Sequence, residues 1–381
     1  MSLLLRIAML AHSTNPRGGV VHAMNLSEAL EAQGLRTTLH APDVSGRGFF
    51  RAPECRTAPF AVAPAPSEIF AMVEQRIGEY VNWFRRPEHR RFDLYHAHDG
   101  ISGNALATLK AQGLIPGYCR TVHHIDDFAD TRLASLQERS IVSADALMVV
   151  SEEWRGRLNE DYGLAAEVGG NGVDGVRFSP WRDSSDAALA GRLGLGDGPV
   201  LLSVGGVEAR KNTIRILQAF AEVARAAPTA RLVIAGGASL LDHSRYGEAF
   251  REALSSLGAC ASNVLITGPI DDAEMPALYR LASVLVFASV KEGFGLCVLE
   301  ALACGTPVVV SRIAPFIDYL GPQDVLWCDP SDPHSIAAAA LSALDAHFRT
   351  RGPDIAARFS WAAVAKRHLP TYAALAEIVN A

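Results

Sequence analysis

Lys291-Glu292-Gly293-Phe294-Gly295-Leu296-Cys297-Val298-Leu299-Glu300-Ala301-Leu302-Ala303-Cys304-Gly305-Thr306-Pro307-Val308-Val309-Val310 is the stretch on which the fold turns. An apolar run over residues 285–288 precedes it and reads as a strand. Two glycines then open a turn, a helix is expected over residues 297–303, and Gly305-Thr306-Pro307 leads into a strand over residues 308–310. Strand, turn, helix and strand in succession describe a parallel α/β domain. Glycines allow a ligand close to the backbone, and the free amides and dipole of a helix N-terminus favour an anion. Glu292 falls in the turn and Glu300 in the helix. A ligand-free turn with an acidic residue near the helix start fits the same spacing, so these residues alone leave both readings open.

The same alternation extends outward. Strands are expected at residues 200–204, 231–235, 264–266 and 325–327, with helices at 212–226, 246–257, 276–281 and 335–349. The first half opens with a strand ending near His12, the loop Ser13-Thr14-Asn15-Pro16-Arg17-Gly18-Gly19, a helix over 20–33 stopped by Gly34, and a strand over 36–41. Residues 45–66 are rich in Pro, Gly and Ala, lack periodicity, and read as an irregular excursion. Helices at 69–84, 104–112 and 133–143 then alternate with strands at 94–97, 119–123 and 146–150. The pattern changes after Gly169-Gly170-Asn171-Gly172-Val173-Asp174, and residues 178–199 are polar with short helical potential. The expected class is α/β, with two Rossmann-like domains over residues 1–178 and 179–361 and a tail helix over 362–381. Pro370 should kink or break the helical pattern of residues 361–378.

A chain of 381 residues exceeds the length at which one core stops growing. Its 35 Lys and Arg against 41 Asp and Glu give a net charge of −6, which argues against adhesion to nucleic acid or anionic lipid. The six cysteines form no CxxC pair and read as apolar fillers in a reducing compartment. The apolar N-terminus reads as a strand and not a signal peptide, and no run is long enough to span a bilayer. The expected location is the cytoplasm. The first loop is not GxGxxG and Asp43 lies beyond Pro42, so a nicotinamide cofactor fits poorly. His96, His98, Asp99, His123, His124, Asp126 and Asp127 invite a metal reading. Several of them fall at strand ends of a parallel sheet, where substrate clefts form, and substrate contact is the preferred reading. No metal is assigned.

Glu292 through Val308 resembles the signature of the retaining family-4 glycosyltransferases, which have the GT-B architecture. That signature has two glutamates separated by seven residues, lies within Glu-Gly-Phe-Gly, and precedes Ala-x-Ala-x-Gly-x-Pro-Val. The resemblance covers nearly the whole chain, and the Gly-Gly-Val-Glu-x-Arg-Lys-Asn segment from Gly205 is similar to a bacterial subfamily. It implies two domains facing across a cleft, with the C-terminal helix crossing back to the first. It implies a nucleotide-sugar donor, UDP- or GDP-linked, as substrate, with no cofactor. The acceptor is a carbohydrate, small molecule or lipid, and a lipid would bring the enzyme to the inner face of the membrane.

Carried onto matching positions, the resemblance gives His123, Glu292 and Lys211 catalytic roles. Gly18, Gly19, Arg210, Lys211, Gly293, Phe294, Gly295 and Glu300 become donor contacts, with Glu300 on the ribose. His98, Asp99 and Ser151 fall on the acceptor side. Two departures stand out. Gly206 replaces the usual arginine, leaving Arg210 to supply its charge, and Asp318 stands near the usual glutamate after the last signature strand. A nucleotide-sugar epimerase or phosphorylase on a similar frame, or an inactive carbohydrate-binding or scaffold protein, are the alternatives.

Overall fold

The structure, a computed structural model, describes residues 5–237, 244–345 and 350–380. Packing divides the chain into two units, Met1–Asn171 with Trp361–Ala381, and Gly172–Ser360. The end of the helix expected over residues 335–349, and residue 381 of the tail, lie outside the described residues.

The first unit runs β1 (Arg6–Leu10), α1 (Gly18–Glu31), β2 (Arg36–Asp43), β3 (Arg56–Ala61), α2 (Ile69–Arg85), β4 (Leu94–Ala97), α3 (Gly100–Ala111), β5 (Cys119–Val122), α4 (Thr131–Val142), β6 (Ala146–Val149), α5 (Glu152–Tyr162) and β7 (Glu167–Val168). Its strands form a parallel sheet in the order β3-β2-β1-β4-β5-β6-β7. Ile7, Ala8, Met9 and Leu10 are all fully buried, as helices on both faces of a parallel sheet require. Leu10, Tyr80, Phe84, Tyr95, Leu106 and Tyr118 belong to one core on one side of it.

The strand β3 corrects the reading of residues 45–66 as wholly irregular. It pairs with β2 from Thr38↔Arg56 to Asp43↔Ala61. As an edge strand it tolerates Pro59, and only Phe60 is buried along it, so it carries no alternation to read. The helix α5 also went unread, because it is highly charged and buries only Trp154 and Leu158.

The second unit runs α6 (Ser184–Leu193), β8 (Val200–Val204), α7 (Thr213–Ala226), β9 (Arg231–Ala235), α8 (Ser244–Ser255), β10 (Val264–Gly268), α9 (Met275–Leu281), β11 (Val284–Phe287), α10 (Leu296–Ala303), β12 (Val308–Ser311), α11 (Phe316–Tyr319), β13 (Leu326–Cys328), α12 (Pro333–Ala343) and α13 (Gly352–Ala356). Its parallel sheet is ordered β10-β9-β8-β11-β12-β13. Leu201, Leu217, Phe220, Leu232, Phe250, Val284 and Val286 build its core.

The last helix, α14 (Trp361–Asn380), runs unbroken through Pro370 and packs on the first unit. Tyr372 bonds His96 Nδ1 at 2.7 Å, Arg367 Nε donates to Gly169 O at 2.8 Å, and Gln33 donates to Ala362 O at 2.9 Å. These anchors lie on both sides of the proline and hold the helix together where one ladder hydrogen bond is lost. Among the described residues no helix is long and apolar enough to cross a membrane.

A buried ion pair joins α6 to α9. Arg280 Nε donates to Asp186 Oδ1 at 2.9 Å and Oδ2 at 3.1 Å, and Nη2 donates to Oδ1 at 2.5 Å. The side chains are 4% and 6% exposed. Removing Asp186 leaves Arg280 with the exposed Asp183 at 3.2 Å, so Asp186→Ala should destabilise the protein by about 3 kcal/mol in urea unfolding, and Asp186→Leu with Arg280→Met should lose less.

Candidate functional site

In each unit the strand order reverses beside a central strand, and the crevice beyond the strands' carboxyl ends at such a point is where α/β sheets bind ligands. In the second unit the reversal lies between the paired strands β8 and β11. The loop from Gly205 to Asn212 follows β8, and the turn from Ala288 to Gly295 follows β11.

Gly205 and Gly206 have φ of 124° and 75°, and both amides donate to Ala235 O, at 2.8 and 3.0 Å. Asn212, at φ 60°, donates from Nδ2 to Ala288 O at 2.9 Å and Pro330 O at 2.7 Å. The amide of Val290 donates to Arg210 O at 3.0 Å. The two loops are thereby held together, and three charged groups meet. Lys211 Nζ and Arg210 Nη1 each lie 2.7 Å from the same oxygen, Glu292 Oε1. Lys211 also sits 4.4 Å from the Phe287 ring centre. Glu208 is buried, with Oε2 3.8 Å from Arg210. Burial pushes the Glu292 carboxyl upward, but Lys211 and Arg210 outweigh it and hold it below the ordinary glutamate value. A diphosphate arriving here would compete for the same two cations.

The turn is anchored from below. Phe294 stacks on Tyr319 with ring centres 4.4 Å apart, and Tyr319 donates its hydroxyl to Phe294 O at 2.8 Å. Gly295 has φ 91°, and a β-carbon there would come 2.6 Å from Phe316 Cε1. No side chain caps α10 at Gly295, which leaves its first amides for a ligand. One helical turn further on, Tyr279 donates its hydroxyl to Glu300 Oε2 at 2.7 Å. Burial raises the Glu300 carboxyl, although the Tyr279 hydrogen bond and the Arg177 charge oppose it.

In the first unit the reversal lies between β1 and β4. Gly18 and Gly19 open α1 after β1, and His98 and Asp99 follow β4. A β-carbon on Gly19 would lie 3.5 Å from both His123 Cδ2 and His98 O, so Gly19, His98 and His123 are neighbours. Asp99 caps α3, its Oδ1 accepting from the Ser102 amide at 2.7 Å, while its Oδ2 is buried without a partner. Ser151 follows β6 and leads into α5, its hydroxyl buried and unpartnered. His124 is exposed and lies 3.1 Å from Asp126.

One residue of this cluster escaped the sequence reading. His22 lies on the buried face of α1, and no sequence motif marks it. Its Nδ1 is 2.7 Å from Asn171 Oδ1, and its ring centre is 4.7 Å from that of His123. Burial holds His22 at about 3 and pushes His98 and His123 well below the ordinary histidine value. All three are neutral imidazoles near pH 7. In the second unit, Tyr279 and Tyr319 were likewise unread, and each acts on a motif residue from outside the motif. Glu208 lies within the quoted segment but was given no role.

Known proteins resemble this chain in both units. Residues 16–177 match the family described as Glycosyltransferase Family 4, and residues 189–353 match Glycosyl transferases group 1. A D-inositol 3-phosphate glycosyltransferase of Corynebacterium jeikeium (strain K411) is 29% identical over 405 residues, covering 95% of each chain. The structure of Anabaena HepE in complex with UDP and glucose superposes with a TM-score of 0.77 at 17% identity, covering 97% of this chain and 99% of that one. Sucrose-phosphate synthase from Thermosynechococcus elongatus gives 0.75 at 22% identity, again over 97% and 99%. At these identities the two structures carry the fold.

Gly206 is closed to any side chain. A β-carbon there would lie 2.9 Å from Gly237 O and 3.0 Å from Gly236 O. Restoring the family arginine with Gly206→Arg should therefore destabilise the protein by about 1–3 kcal/mol, read as a lowered thermal midpoint, and should not tighten nucleotide binding.

Proposed function

This chain is a glycosyltransferase of the GT-B fold related to both of these families, and we propose that it moves a sugar from a nucleoside diphosphate donor to an acceptor hydroxyl with retention of anomeric configuration. The observation that carries this reading is the meeting of Lys211, Arg210 and Glu292 beside the uncapped start of α10. It puts cations and the backbone amides of a helix start where a leaving diphosphate needs them.

The acceptor oxygen forms its bond to the anomeric carbon as the sugar–phosphate bond breaks. Negative charge then grows on the diphosphate, and Lys211, Arg210 and the amides of Gly293, Phe294 and Gly295 take it up. Gly18 and Gly19 offer their backbone to the donor. Glu292, released from its cations by the phosphate, accepts hydrogen bonds from the sugar. Glu300 accepts them from the ribose hydroxyls. His123, a neutral imidazole, positions and polarises the sugar, and no covalent nucleophile is assigned. His98, Asp99 and Ser151 line the acceptor side. In this scheme residues 179–361 hold the donor, residues 1–178 receive the acceptor, and residues 362–381 belong with the latter.

The UDP and glucose held by HepE support a uridine donor as the first to test, with guanosine diphosphate sugars beside it. We place the enzyme in the cytoplasm, at the inner face of the membrane if its acceptor is a lipid. Incubation with a panel of nucleotide sugars and a mixed acceptor extract, read by mass spectrometry, should show one donor consumed and one glycosylated product. Conversion of the donor without acceptor would favour the epimerase alternative.

Three variants test the residue map. Lys211→Ala and Glu300→Ala should each weaken nucleotide binding by about 10- to 100-fold, the worth of a hydrogen bond to a charged group. His123→Ala should lower turnover by about 10²-fold and leave nucleotide affinity nearly intact. Calorimetry and transfer kinetics unchanged in all three would sink the map.

The raised Glu300 carboxyl gives a pH test. Only the carboxylate can accept both ribose hydroxyls. Nucleotide affinity should be full above the raised pKa and fall as pH drops through it, at a higher pH than an ordinary glutamate would allow. Glu300→Gln should flatten that profile.

A further inference from the structure

Buried polar atoms without partners call for an explanation, and an unseen ion is one of the standard ones. The first unit concentrates such atoms. His22 Nε2, both ring nitrogens of His98, and His123 Nε2 are buried and without a partner. His22 and His98 are only 1% and 2% exposed. One ring nitrogen from each of the three histidines falls within 4.8 Å of the other two.

We propose that His22, His98 and His123 form a three-imidazole site for a borderline divalent cation of the zinc class. The ring spacing suits such a tripod. Zinc–nitrogen bonds of about 2.0–2.1 Å in tetrahedral array put imidazole centres about 5 Å apart. Here the centres are 4.7, 5.4 and 5.8 Å apart. The tautomer suits it too. Asn171 Oδ1 accepts from His22 Nδ1 at 2.7 Å, which leaves the Nε2 lone pair to the ion and fixes the ring, as an outer-sphere acceptor does in metal sites.

The three ligands come from rigid positions: the first turns of α1, the end of β4 and the end of β5. His96 and His368 lie next to the cluster; the Nε2 of His368 is also buried without a partner, but it falls outside the group of three nitrogens. Both nitrogens of His96 are bound, to Tyr372 at 2.7 Å and Thr121 at 2.8 Å, and His368 Nδ1 is held by Val364 O at 2.8 Å. An all-imidazole set selects zinc, copper, nickel or cobalt over magnesium and calcium, which take oxygen ligands. Three protein ligands leave the fourth position open to a water or hydroxyl oxygen, and His123, only half-buried, marks the side from which the ion enters.

The site draws on His98 and His123, which the sugar-transfer reading gives to substrate, and its test reads the metal, so that the two readings fail separately. Untagged full-length protein, stripped with a chelator and dialysed, is titrated with Co2+ and followed by its visible d–d absorption, with Zn2+ then added to displace it. One equivalent should saturate intense bands of the tetrahedral type, Zn2+ should abolish them, and Mg2+ should not. Zn2+ should also raise the thermal midpoint.

His22→Gln, His98→Gln and His123→Gln should lose the bands, and Asn171→Ala should weaken binding by about 10- to 100-fold. The exposed neighbour variant His124→Gln should keep them. His123 sits at the rim, so its variant serves if either buried one melts without a cooperative transition. The proposal is overturned if the wild-type protein shows no stoichiometric absorption, or if the folded histidine variants bind Co2+ as tightly as it does.

Discussion

Parallel strands cannot be joined by tight turns. After each strand the chain must cross back over the sheet before the next can begin, so every strand-to-helix turn of a sheet collects at one edge. Both sheets here are parallel throughout the described residues. That constraint brings loops far apart in sequence into contact. Lys211 and Glu292 are separated by 81 residues and share a 2.7 Å contact because β8 and β11 are neighbours. In the first unit, the adjacency of β1, β4 and β5 likewise brings His98 and His123 to the start of α1.

The two edges solve opposite electrostatic problems. In the second unit, charge is concentrated and balanced. Two cations lie on one buried carboxylate oxygen, and Asn212 ties the loops so that neither cation drifts. In the first unit, burial keeps His22, His98 and His123 neutral, with Asp99 and the buried Arg120 close by. A phosphate-bearing ligand fits the former, and groups that offer or accept single hydrogen bonds, or lone pairs for a cation, fit the latter.

Much of this was legible in the chain. The strands at residues 94–97, 200–204 and 231–235 are short, mostly apolar runs, and their limits agree with the structure. The Glu292-to-Val308 motif announced the turn and helix because its glycines and glutamates are fixed by the local backbone. What escaped depends on distant partners. The edge strand β3 takes its hydrogen bonds from β2 and shows no pattern of its own. His22 looks like any residue on the buried face of α1, and only the approach of Asn171 and His123 distinguishes it. Tyr279 and Tyr319 carry no signal in sequence, because their work is done on Glu300 and on the Phe294 backbone.

The glycine pairs Gly205-Gly206 and Gly236-Gly237 press on one another reciprocally. A β-carbon on Gly236 would lie 3.0 Å from the Gly206 amide, just as one on Gly206 meets the Gly236 and Gly237 carbonyls. Neither Gly206 nor Gly236 can acquire a side chain while the opposite loop keeps its present path. Placing a side chain at Gly206 demands concerted change in two loops. Cationic charge at this turn comes from further along the loop, and Arg210, four residues on and already on Glu292, is placed to bring it.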